Sequence, residues 1–363
     1  MTTPESPLAN ERPAVRLWLV AICVLIVAMV SIGGVTRLTG SGLSITDWNP
    51  IMGAIPPLTH EAWEAAFAKY REIPQYRIVN PAMDLSAFKS IFFWEWFHRL
   101  VGRLIGVVAF LPGAYFWARG RISKRLAMRV LVGVALGGLQ GALGWFMVKS
   151  GLSERTSVSH FRLAAHLSLA LLILSYFVWL TRSVFTGDRP LPASEATAYA
   201  FLRPKFRWVV LLFALQIIYG AFVAGLKAGF AFNTFPLMDG SLVPGNLLAL
   251  EPAWSNPFEN PATVQWIHRT LGWTAFFVAN GLWLVLRFRK RAPRGPLRFW
   301  TTALAHMTIA QFTLGVLTLI FVVPIALGGI HQLGAAILVV LLTILGHTLH
   351  RNTNGEVDAP YRD

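Results

Sequence analysis

The sequence predicts an all-α integral membrane protein of eight transmembrane helices, built as two pseudo-symmetric four-helix bundles with both termini cytoplasmic. Three observations carry this. Of 363 residues, 55% are hydrophobic and only 13% charged, a balance far from that of a soluble domain. Apolar runs of about 20 residues, the length that crosses a bilayer, recur along the whole chain. Motifs about half the chain apart match one another.

The runs fall at 16–36, 93–117, 127–149, 160–181, 205–226, 265–287, 300–321 and 325–349. The first follows Arg12 and Arg16 and is too long, without a small-residue cleavage site, for a removed signal peptide, so it reads as helix one. Basic residues then set direction. Arg119, Arg121, Lys124, Arg125 and Arg129 separate runs two and three. Arg203, Lys205 and Arg207 precede run five, and Arg287, Arg289, Lys290, Arg291, Arg294 and Arg298 separate runs six and seven. These connections read as cytoplasmic, so even-numbered runs start at the outer face and run inward. The formal net charge of +15 lies between apolar runs, where it orients helices, and no nucleic-acid partner is expected. Cys23 is the only cysteine, so redox chemistry here needs a cofactor.

Two outer segments are too long to be simple links. Residues 37–92 contain Thr39-Gly40-Ser41-Gly42 and Trp48-Asn49-Pro50, then an amphipathic helix near Glu61–Arg71 with Trp63, Ala66, Phe67 and Tyr70 at helical spacing. Residues 227–264 are rich in Pro and Asn, including Asn233-Thr234-Phe235-Pro236. Both would lie over the outer mouth of the bundle.

The repeat is explicit. His98-Arg99-Leu100-Val101-Gly102 matches His268-Arg269-Thr270-Leu271-Gly272, and Gln140–Gly144 matches Gln311–Gly315 at nearly the same offset. His166 and His331 fall at a similar separation. A weaker echo links Gly33–Arg37 with Ala224–Lys227. Two halves of the same topology follow: a tail at 1–15, an N-terminal four-helix half at 16–181, a linker at 182–204, a C-terminal half at 205–349 and a tail at 350–363.

Four histidines, His98, His166, His268 and His331, lie a short way from the outer end of each even-numbered run. Roughly five residues inside a helix is a depth of about 7–8 Å, where ionisable groups are usually functional. Zinc or di-iron sites want carboxylates or thiolates that these runs hardly supply. Two facing imidazoles in an apolar, glycine-bearing bundle suit haem, one pocket per half, with Gly102, Gly106, Gly272, Gly328, Gly329 and Gly334 letting a flat macrocycle approach. Arg99, Arg269, Arg37 and Arg162 are placed either to meet propionates or to reach lipid headgroups. His60, His160, His306, His347 and His350 are assigned to no metal.

The two copies differ in charge at one position. Glu95 precedes His98 by three residues, while the matching residue is the neutral Gln265. A carboxylate there reads either as a helix-start group paired with an arginine or as a proton acceptor or charge stabiliser beside a reacting porphyrin edge. On the second reading one half holds a permanent haem and the other a haem to be changed.

These residues resemble the haem A synthase family. The likeness rests on Glu95-x-x-His98-Arg99, the positions of His166, His268 and His331, Trp48-Asn49-Pro50-Ile51-Met52-Gly53, and Asn233-Thr234-Phe235-Pro236-Leu237-Met238. It implies oxidation of the C8 methyl of haem O to a formyl group, through a hydroxymethyl stage and a hydrated aldehyde that loses water, giving haem A for cytochrome oxidase. It also implies a resident haem b whose iron takes His268 and His331, with Arg269 beside it. Glu95, His98 and His166 then form the substrate site, the two histidines on the substrate iron. Haem O synthase would deliver haem O, an electron partner would complete the reaction, and apolar faces would meet lipid or a second copy in a homo-oligomer. The first outer loop lacks the cysteine pair of some bacterial relatives, so the chain resembles the alphaproteobacterial and mitochondrial branch. Without an Arg- and Ser-rich presequence, a bacterial inner membrane is expected. If both imidazoles hold the substrate iron, either one leaves to admit dioxygen or the methyl is oxidised by electron removal, with water supplying oxygen. The rival reading is a di-haem b-type electron-transfer cytochrome linked to quinol, which gives Glu95 no task.

Overall fold

A computed structural model describes residues 13–48, 52–152, 156–186, 196–288 and 295–350. The described residues form ten α-helices: α1 (Pro13–Leu38), α2 (His60–Arg71), α3 (Leu85–Ala118), α4 (Lys124–Leu152), α5 (His160–Thr186), α6 (Ala196–Gly225), α7 (Asn256–Glu259), α8 (Pro261–Arg287), α9 (Pro296–Ile320) and α10 (Ile325–His350). It is all-helical, with a single isolated bridge, Met238 to Ser241, among the described residues.

Eight of these helices are long, and they coincide with the eight apolar runs. Seven are long and apolar enough to cross a membrane: α1, α3, α4, α5, α6, α9 and α10. The protein is a multi-pass membrane protein. The eighth, α8, has 27 residues, but Gln265, His268, Arg269, Asn280 and Arg287 dilute its hydropathy. Several ends move from their apolar runs. Helix α3 starts eight residues before its run, because the Asp84 side chain accepts a 2.8 Å hydrogen bond from Ala87 N and caps it. Helix α6 begins at Ala196, inside the stretch read as a linker. Residues 187–195, Asn49–Ile51, the basic stretch 289–294 and both tails lie outside the described residues.

The long helices close two rings. Helix α1 packs on α3, α3 on α4, α4 on α5, and α5 back on α1; α6, α8, α9 and α10 repeat the circuit. Contacts of α1 with α10, α5 with α10 and α5 with α6 join the rings. Trp18, Leu19 and Ile22 of α1, Leu126 of α4, Leu174 and Phe177 of α5 and Ala336 of α10 share one buried core across that junction. In lipid, helices gain little from hydrophobicity, so close approach comes from small residues. Gly113 lies under Trp18, Gly133 under Phe177 and Gly346 under Phe206. Two polar links pin the rings together at opposite ends. Arg37 Nη2 donates from the end of α1 to the carbonyls of Ala224 (2.5 Å) and Gly225 (3.3 Å). At the far end His347 Nε2 lies 3.2 Å from Ser183 Oγ.

The segment between α1 and α3, expected on the outer side, folds into a cap. Thr59 caps α2, whose Phe67 stacks on Phe88 of α3 with ring centroids 5.0 Å apart. Tyr70 is fully buried and its hydroxyl takes a 2.8 Å hydrogen bond from Asn80. Gln75 Nε2 donates to Gly40 O at 2.9 Å, closing the cap onto the end of α1. The second outer segment is tied down by Asn233 Nδ2, which donates to Gly229 O and to Leu319 O of α9, both at 2.8 Å.

Because the Phe177 ring occupies the space above Gly133, Gly133→Val is expected to cost about 1–3 kcal/mol. Thermal unfolding in detergent should show a lower midpoint; an unchanged midpoint would mean that α4 and α5 are not closely packed.

Candidate functional site

Each of the four histidines rests its imidazole on a glycine of the neighbouring helix. A Cβ placed on Gly33 of α1 would lie 3.1 Å from His98 Cε1, and one on Gly144 of α4 would lie 2.9 Å from His166 Cε1. The second ring repeats this: Gly220 of α6 gives 3.1 Å to His268 Cε1, and Gly315 of α9 gives 3.0 Å to His331 Cε1. Any larger residue would displace the ring. Within each half the two rings are electrostatic neighbours, His98 with His166 and His268 with His331. All four are only half-buried, so each keeps accessible surface although apolar helices surround it.

A glutamine four residues before the seat glycine accompanies three of the four. Gln140 Nε2 donates to His166 O at 3.0 Å and lies 3.2 Å from both ring nitrogens. Gln311 Nε2 donates to His331 O at 2.8 Å, and Gln216 Nε2 lies 3.4 Å from His268 Nε2. On α1 the same place holds Met29, which packs against Gly102 as Gln216 packs against Gly272. Gly33 is therefore the partner of Gly220. The end-of-helix echo between Gly33–Arg37 and Ala224–Lys227 is out of register by about one turn. Gln216 and Gly220 escaped the sequence reading; the Gln-x-x-x-Gly spacing shared by α4, α6 and α9 is the signal that finds them.

Several polar atoms beside these rings are buried without a hydrogen-bond partner: Nδ1 of His268 and His331, and Oε1 of Gln140, Gln216 and Gln311. Such atoms are costly unless something satisfies them. Two imidazoles, glycine-thinned walls and unsatisfied ring nitrogens fit an iron macrocycle held between the helices. Among the described residues no group of three or more His, Cys, Asp or Glu gathers to hold a bare ion.

Glu95 is 4% exposed and fully engaged. Its Oε2 accepts from Ser44 Oγ at 2.7 Å and Ile45 N at 2.8 Å, and its Oε1 pairs with Arg99 Nη2 at 2.6 Å. Arg99 in turn donates to Ile45 O (3.0 Å) and Asp47 O (3.2 Å). The pair latches α3 to the first outer loop with charge-assisted bonds. Gln265 builds the counterpart with reversed polarity. Its Nε2 donates to Ala228 O (2.9 Å) and Phe232 O (3.1 Å), and its Oε1 accepts from Arg269 Nη2 at 3.4 Å. Arg269 also donates to Phe232 O and Thr234 O, each at 2.9 Å.

The remaining candidates have protein partners of their own. Arg37 holds the end of α6, and Arg162 lies over the Phe146 ring at 4.7 Å. His160 is buried 3.7 Å from Glu259, His60 lies 3.8 Å from Glu64 on the surface, and His306 packs near Trp283. Of the Trp48–Gly53 motif, residues 49–51 lie outside the described residues.

Comparison with known proteins agrees with this geometry. The chain is 48% identical to the "Heme A synthase" of Azorhizobium caulinodans over 348 residues, covering 95% of this chain and 97% of that one. It is 47% identical to the protein of that name from Rhodospirillum centenum over 342 residues, 94% and 90% of the two chains. With that of Brucella anthropi it shares 44% over 338 residues, 93% and 92%. The COX15-CtaA family model, described as cytochrome oxidase assembly protein, matches residues 16–343, and the chain belongs to that family.

Proposed function

We propose that this protein makes haem A, oxidising the C8 methyl of haem O to a formyl group. The observation that carries the reading is the twofold pair of glycine-seated imidazoles with a carboxylate latch in one half and an amide latch in the other, in a chain whose relatives are named for this synthesis. The N-terminal half, 16–181, takes the substrate between His98 and His166. The C-terminal half, 205–349, holds haem b between His268 and His331, with Arg269 beside it; a haem there supplies electron transfer when bound. All eight long helices span a bacterial inner membrane, with the tails 1–15 and 350–363 and the linker 182–204 on the cytoplasmic side. Haem O arrives from haem O synthase, and an electron partner completes an oxidation whose oxygen atom comes from water, with electrons passed to an acceptor, or from dioxygen, with electrons taken from a donor.

The chain's own residues divide the work. His98 and His166 bind and orient the substrate iron, which fixes the macrocycle edge against α3 and the first outer loop. Glu95 pairs with Arg99 at that edge and holds Ser44 and Ile45 of the loop over it. Glu95 is the carboxylate three residues before the substrate histidine, where Gln265 stands in the other half, and it is the group to take protons lost from the methyl carbon. In the other half Gln265 and Arg269 hold the loop closed through backbone carbonyls, with an amide where the substrate half has a carboxylate, as suits a haem that is kept.

Pigments extracted from membranes that express the protein with a haem O source should contain a formyl-bearing haem; unmodified haem alone would leave an electron-transfer cytochrome. Glu95→Gln should keep both haem-binding pairs and slow formyl formation on the order of a hundredfold, and normal haem A yield would remove Glu95 from the chemistry. His268→Ala and His331→Ala should each lose the resident b-type absorption band. Survival of that band in both would place the resident haem elsewhere.

A further inference from the structure

The repeat gives every pocket position in one half a counterpart in the other, and two of these pairs differ sharply in size. Eight residues after the histidine, α3 carries Gly106 and α8 carries Phe276. One residue after the glutamine that touches the second histidine, α4 carries Gly141 and α9 carries Phe312. In the C-terminal half these positions face one another: the rings of Phe276 and Phe312 are 5.0 Å apart. Trp273 packs on Phe312 at 4.5 Å and stacks on Phe235 of the outer loop at 5.6 Å. Four rings thus fill the cleft between α8 and α9.

The matching cleft between α3 and α4 lacks that filling. A Cβ at Gly106 or Gly141 would meet no heavy atom within 4 Å, and the same holds at Gly137, whose counterpart Thr308 is buried. The gap starts beside one histidine and runs along the helices from there. Gly141 follows Gln140, which contacts His166, and Gly106 lies about 12 Å along α3 from His98. All three glycines are exposed, so the gap opens sideways from the bundle.

Resting on the reading that the N-terminal half holds the substrate, we propose that Gly106 and Gly141 determine which haem each half accepts. Haem O differs from haem b in bearing a long isoprenoid chain. The cleft between α3 and α4 receives that chain and admits it sideways from the bilayer, while Phe276 and Phe312 exclude it from the C-terminal half. These glycines are specificity-determining residues of the substrate pocket; they touch the substrate's apolar chain and leave its iron to the histidines.

The test measures extracted pigment as well as turnover. Wild-type protein purified from membranes containing haem b and haem O should carry haem b together with haem O or its product. Gly106→Phe/Gly141→Phe should keep the haem b content and lose haem O and haem A at least about tenfold. The converse variant guards against misfolding. In a His98→Ala/His166→Ala background, adding Phe276→Gly/Phe312→Gly should let the remaining site retain haem O, which the background alone excludes. Undiminished haem O in the first variant, or no gain of haem O in the second, would overturn the proposal. If wild-type protein itself formed no haem A, the functional reading would fail first, and haem content alone would still decide the selectivity.

Discussion

Each of the four paired imidazoles stands where the neighbouring helix gives up its side chain. That constraint recurs four times here, with seat distances of 2.9–3.1 Å from the ring carbon to the Cβ a larger residue would bring. It fixes the rotation of eight helices at once. Each seat glycine must face its histidine, so α1, α4, α6 and α9 cannot turn about their axes without unseating a ring. The glutamines four residues away then fall beside the same imidazoles by helical periodicity. Small residues elsewhere, such as Gly113 beneath Trp18, let the helices come close enough for this to work.

Over this shared frame the two outer caps are built with opposite polarity. The loop after α1 offers Ser44 and Ile45 as donors and so requires an acceptor at position 95. The loop after α6 offers the carbonyls of Ala228 and Phe232 and so requires a donor at position 265. An isosteric exchange at either site would set like partial charges against each other, inside a region where unsatisfied polar groups are costly. The carboxylate of one half is thus tied into the backbone of its loop.

Much of this was legible in the chain. The period and length of the apolar runs gave the eight long helices, because a spanning helix must be apolar over a known length. Spacing singled out His98, His166, His268 and His331, since a buried ionisable group is conspicuous among leucines. The seat glycines were harder to see. Gly220 lies in a run where glycine signals nothing by itself, and only its ring partner on α8 shows what it does. The extent of α3 was hidden for a different reason: its first two turns belong to the outer cap, where Phe88 packs on Phe67 and Tyr70 instead of lipid, so hydropathy dates its start too late. The hydrogen-bond partners of Glu95 depend on loop geometry that no periodicity encodes.

The clasps between the rings carry a mechanical consequence. Arg37 grips the carbonyl end of α6, where a cation is favoured by the helix dipole, and His347 meets Ser183 at the opposite end. A body fastened at both ends cannot rock about its middle as alternating-access machines do. The two histidine pairs thus sit on rings of helices that are joined near both ends of their shared core.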